Sequence, residues 1–223
     1  MGEPFRLNSH GAKPVSLKTL TAHAGLIAAL DVGSSKTACV IGRNEPSGLR
    51  VLGASLHESQ GVRSGSITNL EAANQSIRHA VAAAEQLARL EIAEVVLGVQ
   101  CGQPKSLNTK FEQPMPGTFI EDNHLRGVFS IARRACREQG YDTIQAAATG
   151  YIVDSQSGIG DPSKMYCDSL GVRMHAVAVQ SGPLRNLRLA VEQSPLSISR
   201  MFFTAYASGL ATLAPDEMAL GTT

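Results

Sequence analysis

The sequence predicts an α/β fold in which a mixed β-sheet packs against helices and a separate α+β segment is inserted. Three strand-like segments precede the first helical one, an order typical of antiparallel hairpins. Near the end of the chain, strand-like and helical segments alternate, which requires parallel neighbours in a sheet. Residues 93–169 interrupt this pattern and are predicted to form the inserted subdomain.

The first predicted hairpin contains the candidate site. Apolar runs at 25–30 and 37–42 flank a turn with a glycine, two hydroxyls and a lysine, a set that suits a phosphate. The predicted phosphate ligands are Gly33, Ser34, Ser35 and Lys36. Asp31 would repel a bare phosphate, so its predicted role is to hold Mg²⁺ through water. The alternative to a phosphate site is an ordinary polar hairpin turn. The sequence assigns no catalytic residue. The turn is neither a Walker A loop nor a Rossmann turn.

The other elements follow from apolar periodicity and turn signals. Further strands are predicted at 49–56, 94–100, 105–113, 143–153, 170–180 and 196–203. Helices are predicted to begin near Thr68 (with Glu71 as a capping box), Asp122, Ser181 and Tyr206. Residues 114–117 are predicted to turn the chain, 154–169 to form a polar loop, and 216–223 to be an exit segment.

Composition narrows the classes of function. The net charge of +1, the 4% aromatic content and the absence of Trp argue against a nucleic-acid partner. Four cysteines without a C-x-x-C pair predict buried, reduced thiols in a cytoplasmic protein. No apolar run approaches the length of a membrane span, and residues 1–23 are predicted to be a disordered tail rather than a secretory signal.

The second predicted helix is rich in arginine. Its apolar stripe leaves Arg126, Arg133, Arg134 and Arg137 on the remaining surface. Two interpretations stay open, a solvated helix surface and a basic docking face for a partner. His175, within a predicted strand, is interpreted as a packed histidine because no second metal ligand is in view.

Eight motifs in matching order resemble the FtsA family of bacterial cell-division proteins, which are actin-like and bind ATP. They lie at 31–36, 61–66, 150–154, 158–162, 170–172, 174–175, 183–187 and 206–211. The resemblance covers about residues 24–221 and is strongest to the alphaproteobacterial branch.

The resemblance implies an actin-like (ribonuclease H-like) domain 1A at 24–92 and 170–223, with an inserted SHS2-like domain 1C at 93–169. This chain has Ala148 and Ala205 where relatives usually have proline, and 163–167 replaces a glycine-rich run. These departures affect the geometry at the edge of domain 1C, and none of them falls in the phosphate hairpin. The family's second lobe and C-terminal membrane helix are expected to lie beyond this chain.

In function, the resemblance implies a protein that binds ATP and Mg²⁺, links the FtsZ ring to the membrane and recruits later division proteins. It also implies self-association through domain 1C, and a place at the cytoplasmic face of the inner membrane at the division site. Membrane contact by this chain is expected only through a partner. ATP turnover by this chain alone is expected to be near zero, because phosphoryl transfer needs groups positioned on several sides.

Three alternatives remain at this stage. A sugar kinase or ATPase could share the first hairpin, since unrelated functions use the same fold. A pilus-assembly protein of the same architecture could have a similar inserted subdomain. A degenerate, truncated product could act only through its 1C interaction module.

Overall fold

Eleven strands and five helices make up the described part of the chain, which in this computed structural model is residues 25–220. The predicted tail at 1–23 lies outside the described residues. The strands are β1 Leu26–Val32, β2 Lys36–Glu45, β3 Gly48–Glu58, β4 Val62–Arg63, β5 Ser66–Ile67, β6 Glu94–Val99, β7 Lys105–Phe119, β8 Tyr141–Val153, β9 Gln156–Ile159, β10 Tyr166–Gln180 and β11 Ser197–Phe203. The helices are α1 Leu70–Ala88, α2 Asp122–Ala135, α3 Ser181–Glu192, α4 Thr204–Thr212 and α5 Pro215–Leu220.

The described residues divide into two units. One, here called the five-stranded unit, comprises residues 25–104 and 179–208, and the other, the four-stranded unit, comprises 105–178 and 209–220. No helix among the described residues is long and apolar enough to cross a membrane.

The five-stranded unit is built on the predicted mixed sheet, with strand order β11-β6-β1-β2-β3. Strands β1, β2 and β3 pair antiparallel, whereas β6 pairs parallel with both β1 and β11. Helix α1 packs closely against β3 at Gly53. A side chain at this position would collide with the Ala84 carbonyl, so the glycine permits the close approach. The side chains of Leu30, Ile41 and Leu97 are buried in its core.

One buried polar side chain joins α1 to α3 within this unit. The Asn74 Nδ2 donates to the Ala190 carbonyl at 2.8 Å and to the Ser194 Oγ at 2.9 Å. Both Asn74 and Ser194 are buried. Burying an amide is tolerated when its hydrogen bonds are made, so this contact fixes the relative placement of the two helices.

The four-stranded unit contains a sheet of order β7-β10-β8-β9 with α2 packed on it. Strand β10 pairs antiparallel with β7, and β9 pairs antiparallel with β8. Most of its core residues come from α2 and the sheet, and they include Val128, Ala132, Leu170, Val172 and Met174. This α+β composition matches the predicted character of the inserted segment.

Three segments for which no strand or helix is predicted contain regular structure. Residues 114–117 do not turn the chain but continue β7, which lies at the edge of its sheet and tolerates proline there. A register shift opposite them, between Cys167 and Ser169 of β10, accommodates the irregular backbone. The predicted loop at 154–169 includes β9 and the start of β10, and the predicted exit segment forms most of α5.

Helix starts differ from the prediction by one or two residues. Asn69, not Thr68, caps α1, and its Oδ1 accepts a hydrogen bond from the Ala72 amide at 3.1 Å. Asn is as good a cap as Thr, so the sequence contained two adjacent candidates. Glu121 and Gln180 are the N-cap residues of α2 and α3.

The predicted ends of the inserted segment also differ from the observed units. Strand β6 pairs between β1 and β11, so residues 94–99 belong to the five-stranded sheet, and the four-stranded unit begins at Lys105 rather than at 93. At the other end, residues 170–178 belong to the four-stranded unit. An apolar strand pattern does not specify which sheet the strand joins, and β10 is one unbroken strand across the predicted boundary.

Candidate functional site

The turn between β1 and β2 is a tight hairpin, as predicted. The two strands pair as far as Val32 and Thr37, and the Gly33 amide then donates to the Lys36 carbonyl at 3.0 Å. A Cβ at Gly33 would lie 3.0 Å from that carbonyl oxygen, so a larger residue would press against the turn. Ser34, Ser35 and Lys36 are all exposed at its tip.

A neighbouring loop fixes the conformation of this turn. The Ser34 Oγ accepts a hydrogen bond from the Gly65 amide at 2.9 Å, and the Ser35 carbonyl accepts one from the Ser59 amide at 3.1 Å. The Ser59 and Thr37 hydroxyl groups are 2.7 Å apart. Because a hydroxyl has one donor and two acceptor positions, Ser34 retains its O–H for a ligand.

Asp31 lies at the carboxyl end of β1, half-buried and beside a residue that the sequence analysis missed. The Thr204 Oγ1, in the first residue of α4, donates to the Asp31 Oδ1 at 3.3 Å. Gly98 of β6 lies directly opposite Asp31 in the parallel pairing. A Cβ at Gly98 would lie 2.9 Å from both oxygen atoms, so this glycine leaves room for the contact.

Gln100 is a second residue that the sequence analysis missed. It follows the last residue of β6 and is exposed. A Cβ at Gly33 would lie 3.4 Å from its Nε2, which places the amide beside the hairpin turn. Asp31, Gln100 and Thr204 thus lie where β1, β6 and β11 end. Carboxyl ends of parallel strands meet at one edge of a sheet, where α/β proteins commonly bind ligands.

The chemistry of this edge suits a phosphate and a hydrated magnesium ion. Lys36, the serine hydroxyl groups and the Gln100 amide are donors for phosphate oxygen atoms. Asp31 supplies a carboxylate, and Mg²⁺ commonly binds through one or two carboxylates, waters and substrate phosphates. No group of three or more His, Cys, Asp or Glu side chains suited to a metal occurs among residues 25–220.

The cysteines and His175 offer no reactive group. All four cysteines are free and buried, as predicted. Burial raises the pKa of the Cys39 thiol to about 12, with a further contribution from the charge of Glu85, and burial also raises the pKa of Cys101 and Cys167. His175 lies on β10, with its Nε2 2.7 Å from the Ser106 Oγ. The thiols of Cys39, Cys101 and Cys167 therefore stay protonated and poorly nucleophilic.

The mixed sheet, its phosphate-type hairpin and the inserted α+β unit define an actin-like protein. A family model described as "SHS2 domain inserted in FTSA" matches residues 101–178, nearly the range of the four-stranded unit. The chain is 36% identical to the cell division protein FtsA of Agrobacterium fabrum, over 94% of this chain and 49% of that protein. FtsA of Rhizobium meliloti is 34% identical over 88% of this chain and 47% of its own length. Over nearly its whole length, this chain is similar to the N-terminal half of FtsA proteins.

Other matches agree with this assignment. FtsA of Escherichia coli strain K12 is 23% identical over 88% of this chain and 47% of its own length, so the alphaproteobacterial relatives are more similar, as predicted. The chain spans about half the length of the curated relatives it matches. A solved "PilM-PilN type IV pilus biogenesis complex" superposes with a TM-score of 0.52 at 13% identity, covering 82% of this chain and 49% of that one. This likeness supports the actin-like fold.

Proposed function

We propose that this chain is the ATP-binding, actin-like part of an FtsA-type cell-division adaptor. The observation that supports this most directly is the hairpin turn at Gly33, with Asp31 and Thr204 hydrogen-bonded beside it. A phosphate bound at the turn would have donors on one side and a positioned carboxylate on the other.

In this proposal, Gly33, Ser34, Ser35 and Lys36 contact the phosphates of ATP. The glycine allows close approach of the backbone, the hydroxyl groups donate hydrogen bonds, and the lysine adds a point charge. Asp31 would hold a Mg²⁺ ion through its waters, and the ion would neutralise charge on the phosphates. Thr204 holds the carboxylate in place and is therefore a positioning residue.

The exposure of the turn limits the affinity that this chain reaches by itself. Ser34, Ser35 and Lys36 are open to solvent, so a nucleotide bound only here keeps most of its surface in water. Tight sites bury most of their ligand. We expect a dissociation constant in the millimolar range, or about −4 kcal/mol, and negligible ATP turnover.

In the cell, we propose that the parent protein links the FtsZ ring to the membrane and recruits later division proteins. It would act at the cytoplasmic face of the inner membrane at the division site, with membrane contact by this chain only through a partner. The SHS2 match at residues 101–178 supports the presence of the inserted domain 1C. We propose that this domain binds proteins, including further copies of the chain. The domain 1A assignment rests on the five-stranded sheet.

A pilus-assembly role is the second candidate, because the solved neighbour is a pilus biogenesis complex. At 13% identity that neighbour supports a shared fold alone. The FtsA relatives, at 36% and 34% identity, favour cell division. A kinase or a degenerate product has no comparable support.

Titration of the purified chain with ATP and Mg²⁺, followed by NMR, tests the nucleotide site. Shifts should concentrate on residues 31–36 and 59–65, and Lys36→Ala should abolish them. Lys110→Ala, which removes a lysine paired with Glu112 on β7, is the matched control and should bind as the wild type does. Unchanged shifts in Lys36→Ala would exclude Lys36 from the site. A micromolar dissociation constant would mean that another chain covers the side of the nucleotide that this chain leaves open to solvent.

A further inference from the structure

We propose that a groove at the C-terminal end of α2 binds an acidic peptide segment of a partner protein. This inference goes beyond the nucleotide site and does not depend on it. The groove has a volume of about 680 Å³ and lies wholly within the four-stranded unit. Its lining residues are Ser130, Arg133, Arg134, Arg137, Glu138, Tyr141, Asp142 and Thr143.

The charge of the groove is dominated by three guanidinium groups. Arg133, Arg134 and Arg137 are exposed, and within the described range 25–220 none of them forms an ion pair. Arg133 and Arg134 lie in the last turn of α2 and Arg137 lies just beyond the helix, so the groove lining holds three like charges. Like charges at close range repel one another, and an anion bound between them would relieve that repulsion. Three unpaired arginines along one concave wall therefore favour a ligand with several negative charges.

The acidic side chains of the groove do not cancel this charge. Glu138 is already bound by Lys105, whose Nζ lies 2.7 Å from the Glu138 Oε1. The hydrogen bond to Glu138, followed by that to Tyr141, raises the pKa of Lys105, so this ammonium group stays charged. Asp142 is the remaining carboxylate in the lining. A surplus of positive charge is left facing the groove.

Helix electrostatics explain only part of this arrangement. Cations near the C-terminus of a helix are favourable, and Arg133 and Arg134 lie in the last turn of α2. That effect does not require the side chains to line a concavity, and it does not extend to Arg137, which lies beyond the helix. Arg126 of the same helix lies outside the groove and is a natural reference for an ordinary solvated arginine.

The lining also indicates the class of ligand. A guanidinium binds a carboxylate through two parallel hydrogen bonds, and the hydroxyl groups of Ser130, Tyr141 and Thr143 add further hydrogen-bonding partners. A single phosphate would occupy a small part of the volume, whereas a segment with several Asp or Glu residues could engage all three arginines.

Two other polyanions fit this groove less well. Single-stranded nucleic acid needs open aromatic faces for stacking, but Lys105 covers the Tyr141 ring, with its Nζ 3.8 Å from the centroid. A lipid surface is broad and would meet the rim of a concave site before its floor. An acidic peptide is narrow enough to enter, so it is the occupant that we propose.

The test is fluorescence anisotropy with a labelled Asp- and Glu-rich peptide and the full chain. A peptide of equal length, with each acid replaced by its amide, is the ligand control. We expect the acidic peptide to bind, and to bind more weakly as salt rises. Combined Arg133→Gln, Arg134→Gln and Arg137→Gln should weaken binding at least tenfold, roughly the loss of one charge-assisted contact.

Arg126→Gln is the matched protein control and should bind as tightly as the wild type. Thermal unfolding of each variant establishes that it is folded before binding is compared. Equal binding by the triple variant, equal binding of the amide peptide, or no peptide binding would overturn the proposal. A preference for anionic phospholipid vesicles or inorganic phosphate over the peptide would also overturn it. Lys36→Ala should bind the peptide normally, which separates this result from failure of the nucleotide site.

Discussion

The hydroxyl of Thr204 donates a hydrogen bond to the carboxylate of Asp31, although the two residues are 173 positions apart in the chain. Asp31 is the last residue of β1 that pairs with β6, and Thr204 follows β11. The strand between them, β6, contributes Gly98 at the point where the two side chains meet. The proposed magnesium ligand is thus oriented by the sheet and not by the hairpin alone.

Replacing Thr204 tests whether this orientation matters. Thr204→Val keeps the shape and removes the hydroxyl, so we expect weaker dependence of ATP binding on Mg²⁺ and little loss of Mg²⁺-independent phosphate contact. Thr204→Ser retains the hydroxyl and should behave as the wild type. The measurement is an ATP titration at several Mg²⁺ concentrations. If Thr204→Val and Thr204→Ser give the same Mg²⁺ dependence, Thr204 does not position the carboxylate.

Gly98→Ala should disrupt the same contact by steric means. The added Cβ would lie 2.9 Å from the Asp31 and Thr204 oxygen atoms, so one side chain must move. We expect ATP·Mg²⁺ binding to fall at least tenfold while the chain stays folded, as judged by circular dichroism. Gly182→Ala in α3 is the matched control, because a Cβ there meets nothing within 4 Å. Normal binding by Gly98→Ala would show that the site tolerates a displaced carboxylate.

The hairpin could be predicted from sequence because every part of its signal is local. Two apolar runs and a turn of Gly33, Ser34 and Ser35 are contiguous, and the strands pair across that turn. Thr204 and Gln100 could not be found in this way, since their role depends on which strands become neighbours. A glycine within the apolar run of strand β6 was the available signal, because such a glycine often marks a close approach of another chain segment.

The first and last residues of the inserted segment could not be predicted from the sequence, for a related reason. The apolar pattern of β6 predicts a buried strand but not its partners, and the structure places it between β1 and β11. Pro114 in β7 gave a misleading turn signal. Proline is excluded from central strands but tolerated at an edge, and edge position is a property of the assembled sheet.

Asn74 should be the most sensitive polar position of the five-stranded unit. Asn74→Leu removes the donor for the Ala190 carbonyl and the Ser194 hydroxyl, both of which would be left inside the protein. We expect the free energy of unfolding to fall by about 1–3 kcal/mol, measured by urea denaturation. Gln75→Leu, an exposed neighbour on α1, should change it by less than about 0.5 kcal/mol. An equal effect of both substitutions would refute a structural role for the Asn74 contacts.

The Cys39 thiol should make the folded chain less stable in alkali. Burial raises its pKa from 9.0 to about 12, so above about pH 9 the unfolded thiol loses its proton while the folded thiol retains it. Unfolding then releases a proton, and stability falls as pH rises from about 9 to about 12, by about 1.4 kcal/mol per pH unit.

Cys39→Ala removes this dependence, although a cavity lowers its stability at every pH. Urea denaturation of both proteins at pH 7, 9 and 10 should therefore give a difference in unfolding free energy that is constant up to about pH 9 and shrinks above it. A difference that stays constant to pH 10 would mean that the folded thiol ionises as readily as the unfolded one, contrary to its burial.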